Sequence, residues 1–357
     1  MIEATDPDQY GAWQQRRVPA ADRIRDGIHS IPLPMRAGPR LTHSFCYAVE
    51  DELGGIHLID TGMAGDENQD ILAGQLRRLG FRVGDVATVT VTHLHPDHIG
   101  LAAHVHAESG AAVLLHERDR RGLDELHAHG HRVDPGVLVG WGVPPDRAAS
   151  IAAADRRDDN RLPSIPTHPV SDGHLLPVPG RRLQVVHTPG HTAGHICIVE
   201  ADAGLVFTGD HVMPTIHGGI GLGGRMDANP IAEYLSGLER LAPYGRLEVA
   251  PGHEYRFRGL GERLRTTAEH HLRRTREVAD ALSGEDDLSV WELASRLTWS
   301  AGWSNLRGFY LVSALAQTAM HRGFVRSGDA QPWLDADPLA PAAPAPRDTG
   351  DCAVAAR

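Results

Sequence analysis

Hydrophobic and polar positions follow two rhythms along this chain. Short runs rich in β-branched residues, bounded by Gly, Pro and acidic residues, fall at 27–35 (GIHSIPLPM), 44–51 (SFCYAVED) and 55–62 (GIHLIDTG) and predict strands. The segment 68–80 (NQDILAGQLRRLG) instead spaces its apolar residues by three and four and ends in glycine, which predicts an amphipathic helix. The alternation then repeats: strand 86–92 (VATVTVT), helix 99–110, strand 111–117, and further strands at 182–191, 194–201, 204–210 and 247–254 around a helix at 230–242. Strands alternating with helices predict an α/β architecture in which polar residues released at strand ends gather into one site.

The pattern loosens in four places. Residues 1–20 read as a loosely held N-terminal arm, and 118–169 read as a mostly helical insertion in a main domain spanning 21–258. Residues 259–325 read as helical throughout, with the helix order of a small winged-helix-like module, and the Pro/Ala-rich end, 326–357, reads as a disordered tail.

Composition narrows the chemistry. The 357 residues hold no lysine, so all 35 basic side chains are arginines, which excludes Schiff-base, PLP and P-loop lysine mechanisms. A net charge of −11 opposes general affinity for nucleic acid or anionic membrane, because such surfaces attract proteins through cations. Three cysteines, Cys46, Cys197 and Cys352, form no CxxC pair and leave one unpaired in any disulfide scheme, which suits a reducing compartment. The acidic, polar start and the lack of any run long enough to span a bilayer make a cytoplasmic protein the expectation.

Candidate chemistry concentrates at 93–98, HLHPDH, directly after a β-branched run. His93 and His95 are two apart, so an extended chain points both to one side, and a turn at Pro96 lets Asp97 and His98 face the same space. Four such groups suit two metal ions better than one, and two ions need roughly six to eight protein ligands. Downstream, His191 (PGHT), Asp210 (FTGDH) and His253 (PGHE) each follow a predicted strand and supply the remainder. His187, His195 and His211 stand near these ligands and read mainly as packed or solvated residues, while His104, His106, His127, His129 and His131 read as surface.

In these motifs the chain resembles the metallo-β-lactamase superfamily: HxHxDH is matched by His93, His95, Asp97 and His98, the later ligands by His191, Asp210 and His253, and the leading LIDTG motif by Asp60 and Gly62. The resemblance runs over roughly 22–258. It implies a four-layer αβ/βα sandwich with two Zn2+ at one edge, iron or manganese being further occupants. One ion would take His93, His95 and His191, the other Asp97, His98 and His253, with Asp210 bridging. It further implies hydrolysis by a metal-bridging hydroxide, with Asp97 orienting that group and handling a proton. The superfamily's diiron flavoproteins carry glutamate at the position of His95, which this chain does not.

Within the superfamily the chain is similar to the branch holding glyoxalase-II-like hydrolases and the lactamase-like-protein-2 type. The expected substrate is a small acyl compound, a thioester, ester or lactone. Two alternatives stand beside it: a metallo-endoribonuclease or phosphodiesterase, and a mononuclear iron enzyme of the persulfide dioxygenase kind. Arginines of the first C-terminal helix are interleaved with acids, as on a solvated face, which disfavours a nucleic-acid partner. Trp141, His217, Arg225, Tyr255 and Trp303, on the insertion, the Gly-rich loop and the C-terminal region, are candidate substrate contacts by their capacity to stack or hydrogen-bond.

Overall fold

The structure, a computed structural model, describes residues 2–35, 41–129, 134–155, 164–223, 225–284 and 287–336. Among them are thirteen strands: β1 (Glu3–Ala4), β2 (Asp22–Arg25), β3 (Ile28–Pro34), β4 (His43–Glu50), β5 (Ile56–Ile59), β6 (Val86–Thr90), β7 (Ala112–His116), β8 (His168–Val170), β9 (Leu183–His187), β10 (Ile196–Glu200), β11 (Leu205–Gly209), β12 (Glu248–Pro251) and β13 (Phe257–Arg258). They form two sheets, one in the order β2-β3-β4-β5-β6-β7-β8 and one in the order β1-β13-β12-β11-β10-β9.

Strand periodicity explains why the sheets stack. In β4, Phe45, Tyr47 and Val49 point into the core between the sheets, while Cys46 and Ala48 point to the outer face. In β10, Ile196 and Ile198 meet that same inner core and Cys197 and Val199 face outward. Both faces of these strands are buried, so their runs are continuously apolar rather than half polar. Helices cover the outer faces: Asp66–Arg78 and Ala102–Ser109 bury Leu72, Leu76 and Val105 against the first sheet. Pro230–Leu241 and Leu260–Leu282 bury Tyr234, Leu238, Leu264 and Leu272 against the second. The result is the four-layer αβ/βα sandwich.

The N-terminal segment departs from the loose arm expected over 1–20. β1 pairs antiparallel with β13, and the helix Pro7–Gln14 is capped by Asp6, whose carboxylate accepts from Asp8 N and Gln9 N at 2.9 and 3.0 Å. This helix lacks a marked apolar stripe and docks through polar groups: Gln9 Oε1 accepts from Arg256 N at 3.0 Å. The buried Arg256 guanidinium reaches Asp6, Asp22 and Glu248 at 2.8, 2.9 and 2.7 Å. Such an anchor has no periodicity to betray it.

The insertion supplies helices Glu117–His129, Pro135–Gly140 and Pro145–Asp155. Leu138, Val143 and Ile151 from it share one apolar cluster with Val290, Ala294, Leu311 and Leu315 of the C-terminal region, so two segments distant in sequence pack as one helical layer. Past Arg258 the described residues form helices and no strand, so this extension is helical without a wing. The expected tail begins in ordered structure, since helix Gln331–Asp335 brings Trp333 and Leu334 against the second sheet's outer cluster. Residues 337–357 lie outside the described residues. No helix among the described residues is long and apolar enough to cross a membrane.

Candidate metal centre

Strand ends deliver seven metal-capable side chains to one place. His93 and His95 follow β6, Asp97 and His98 lie on the short turn Pro96–Ile99, and His191, Asp210 and His253 follow β9, β11 and β12. Their donor atoms form two groups, each with all atoms within 4.8 Å of one another: His93, His95, His191 and Asp210, and Asp97, His98 and His253. Asp210 joins them, with Oδ2 3.7 Å from His191 Nε2 and Oδ1 3.3 and 3.2 Å from Nε2 of His98 and His253. Asp97 Oδ2 lies 3.3 Å from His253 Nε2.

Each imidazole is oriented by a bond on its far nitrogen. His95 Nε2 donates to the Leu222 carbonyl at 2.8 Å, His191 Nδ1 to the Gly219 carbonyl at 2.6 Å and His253 Nδ1 to the His43 carbonyl at 2.7 Å. His98 Nδ1 donates to Asp60 Oδ2 at 2.8 Å. His93 Nδ1 reaches Thr92 Oγ1 at 3.0 Å, whose own proton goes to Asp60 Oδ2 at 2.8 Å. With its outer nitrogen protonated, each imidazole in the neutral form turns the lone pair of its inner nitrogen toward the cluster.

That arrangement fits divalent cations. Inner nitrogens of His93 and His95 approach to 2.9 Å and those of His95 and His191 to 3.1 Å, a convergence of lone pairs that a shared cation satisfies. Asp210 Oδ1 is buried without a hydrogen bond. Burial, with the neighbouring imidazoles, holds His93 well below its ordinary pKa and His191 down to about 4, favouring the neutral form that ligates. Burial also opposes charge on His98 and His253, yet Asp210 and Asp97 outweigh it, raising His98 well above its usual value and His253 to about 10. The carboxylates thus hold positive charge here, as protons or as metal. Nitrogen and carboxylate donors in this ratio suit zinc, iron or manganese better than calcium.

Backbone geometry closes in on the site. A Cβ at Gly252 would stand 2.6 Å from Asp210 Oδ1 and 2.8 Å from His98 Cε1, so only glycine fits beside the carboxylate between the groups. Asp60 and Glu254 are non-glycine residues with φ of 58° and 70°, one supporting His98 and the other following His253. Glu254 is buried and accepts from Trp13 Nε1 at 3.1 Å, from Thr215 N at 3.0 Å and from the Thr215 hydroxyl, which ties the N-terminal helix to the segment carrying His253.

The structure does not bring the five candidate substrate contacts together. Trp141 and Trp303 pack in the cluster shared by insertion and C-terminal helices, where Trp303 lies edge-on to Trp291 at 4.9 Å. Tyr255 is buried edge-on to Tyr10 and Trp13 at 5.2 and 5.3 Å. His217 stacks on His270 at 4.0 Å, and Arg225 is exposed. Large rings that can stack on a ligand stack as readily on one another. His195 accepts from Asp210 N at 3.2 Å, whereas His187 stacks on His116 at 3.9 Å. His127 and its neighbours lie on the insertion; the side chain of His129 and all of His131 fall outside the described residues. Sequence reasoning missed the carbonyls of His43, Gly219 and Leu222, which no residue type signals, and the buried carboxylates of Asp119 and Glu254.

A two-sheet αβ/βα sandwich with a histidine and aspartate cluster at its strand ends defines a class of metal-dependent hydrolases. Residues 39–253 match the metallo-beta-lactamase superfamily model, more than half of the chain, and the protein belongs to that family. It is 27% identical over 187 residues to the lactamase-like protein nscB of Arthroderma otae, covering 51% of each chain. It is 23% identical over 225 residues to the atrochrysone carboxyl ACP thioesterase of Aspergillus fumigatus, covering 63% of this chain and 55% of that one. The chain thus spans about half the length of the curated relatives it matches. Among solved structures, a metallo-beta-lactamase family protein of Thermus thermophilus aligns with a TM-score of 0.67 and 26% identity, covering 86% of this chain and 95% of that one.

Proposed function

We propose that this protein is a dinuclear metal-dependent hydrolase that cleaves a small acyl substrate, a thioester, ester or lactone. The observation that carries the reading is the pair of adjoining donor groups with the Asp210 carboxylate between them. His93, His95 and His191 would hold one ion, Asp97, His98 and His253 the other, and Asp210 both. Two zinc ions, when bound, would lower the pKa of a shared water to about 7 and polarise the substrate carbonyl.

The chain's own residues then do the rest. Asp97 keeps its carboxylate ionised: burial opposes this, but His98 and His253 hold its pKa well below the usual range. That carboxylate can orient a water and carry a proton toward the leaving group. The five outer hydrogen bonds fix the imidazoles before substrate arrives, so no reorganisation is needed during reaction. Similarity to an acyl-carrier thioesterase favours the thioester within the acyl class. A net charge of −11 speaks against an RNA substrate. Cys46 and Cys197, buried and unpaired, agree with a reducing, cytoplasmic setting.

Metal analysis and a substrate panel test the reading. Purified protein should carry close to two zinc ions and hydrolyse small thioesters, esters or lactones, with Asp97→Asn losing turnover. Phosphodiester cleavage without acyl hydrolysis, or oxygen uptake with one iron per chain, would replace it with one of the two alternatives.

A further inference from the structure

One fully buried carboxylate belongs to neither donor group. Asp119, near the start of helix Glu117–His129, is wholly inaccessible to solvent. Its Oδ2 accepts from Leu94 N at 2.9 Å and from Thr192 Oγ1 at 2.8 Å, and its Oδ1 accepts from Gly194 N at 2.5 Å. Leu94 stands between His93 and His95, and Thr192 follows His191. Two segments 96 residues apart, which carry three ligands of one group, therefore meet on a single side chain.

The surroundings are shaped to this contact. A side chain at Gly194 would collide with the Asp119 backbone nitrogen. All three donors are neutral, and burial pushes the Asp119 carboxyl up to about 6 against their pull. A buried carboxylate in such a place stabilises a fold less than an apolar side chain of similar volume would. Packing alone therefore does not account for it.

We propose that Asp119 is a positioning residue that locks the His93–His95 segment to the His191 segment and so sets the spacing of three imidazoles for a divalent cation. The inference rests on the metal-centre reading above.

Zinc affinity separates the two. Wild type, Asp119→Asn and Thr192→Val are stripped with a chelator, titrated with zinc against a chromophoric competitor, and melted in the metal-free state. In Asp119→Asn an amide NH2 replaces one acceptor oxygen. The NH2 turns toward a buried backbone N–H, so the metal-free midpoint should fall somewhat, and beyond that loss the variant should bind one of its two zinc ions about 10 to 100 fold more weakly. Thr192→Val, which removes one of three bonds, should lose less, at the same ion. Wild-type affinity for both ions in Asp119→Asn overturns the proposal, as does a loss confined to metal-free stability. Should Asp119→Asn fail to fold, wild-type affinity in Thr192→Val overturns it instead. Wild type that takes up no zinc refutes the metal centre itself, a distinct outcome.

Discussion

Asp60 shows how much one side chain can organise. With φ of 58° it occupies a left-handed conformation that costs a non-glycine residue roughly 1–3 kcal/mol. In that position it accepts from Thr92 N at 2.7 Å, from the Thr92 hydroxyl and from His98 Nδ1, so it orients an imidazole in each donor group, His93 through Thr92 and His98 directly. The separation between ligands and supports can be measured. Asp210→Ala removes the carboxylate that joins the groups, and metal and activity should be lost together. His187→Ala deletes a ring bonded to the Ala193 carbonyl at 3.1 Å, not to a ligand, and should cost no more than about tenfold in metal affinity. Metal analysis of both variants checks this, and equal behaviour would mean the centre is misplaced. Gly252→Ala is a sharper probe, because its methyl group would press on Asp210 and His98. It should destabilise the protein by about 1–3 kcal/mol, as overpacking does, and lower zinc stoichiometry more than its small volume suggests.

Among the elements, the N-terminal segment is the one whose role depends most on charge. Arg256 reaches three carboxylates there, and its replacement by methionine leaves Asp6 buried without its cation and Glu248 with Arg25 as its remaining close cation. Unfolding in denaturant should show a loss of about 3–5 kcal/mol. The acid response should change as well. Burial raises the pKa of Glu248, but Thr5, Arg25 and Arg256 outweigh it, so the folded carboxyl lies below the usual range. Stability from this group is complete above that range and is lost as pH falls through the folded pKa, because the unfolded chain takes up the proton first. In Arg256→Met one of the two close cations on Glu248 is gone while Arg25 remains at 2.6 Å, so the gap between variant and wild type should narrow on melting the two at successively lower pH. A gap that widens in acid would show that Glu248 does not carry this anchor.

For the whole molecule, the centre lies where both sheets release their strand ends. The metal-capable side chains at the ends of β6, β9, β11 and β12 belong to different sheets, so a bound cation would crosslink the two halves of the sandwich. Removal of metal should lower the melting temperature, and zinc should restore it. Each site held at a thousandfold above its dissociation constant stabilises the fold by about 4.1 kcal/mol. A melting temperature unmoved by chelation would place the donors outside any metal's reach. The same scale governs partners: with a net charge of −11, single-stranded RNA should bind weakly at moderate salt, as filter retention can show.

What was legible in the sequence was local. Ile196–Glu200 and Leu205–Gly209 announced themselves as strands because burial on both faces favours apolar runs, and Val86–Thr90 did so by its β-branched residues. HLHPDH announced itself because four donors within six residues need no tertiary contact to stand out. The N-terminal helix stayed hidden because a polar anchor and two aromatic rings hold it, with no apolar stripe at helical spacing. The aromatic candidates stand apart from one another because a ring's affinity for another ring is written in the same letters as its affinity for a ligand. Orientation of the ligands was decided only by the fold: the His95 proton goes to a carbonyl 127 residues away and the His253 proton to one 210 residues away. A backbone carbonyl is common to every residue, so nothing in the sequence marks which ones will meet an imidazole. That choice belongs to the packing of two sheets, which brings remote strand ends within hydrogen-bond reach.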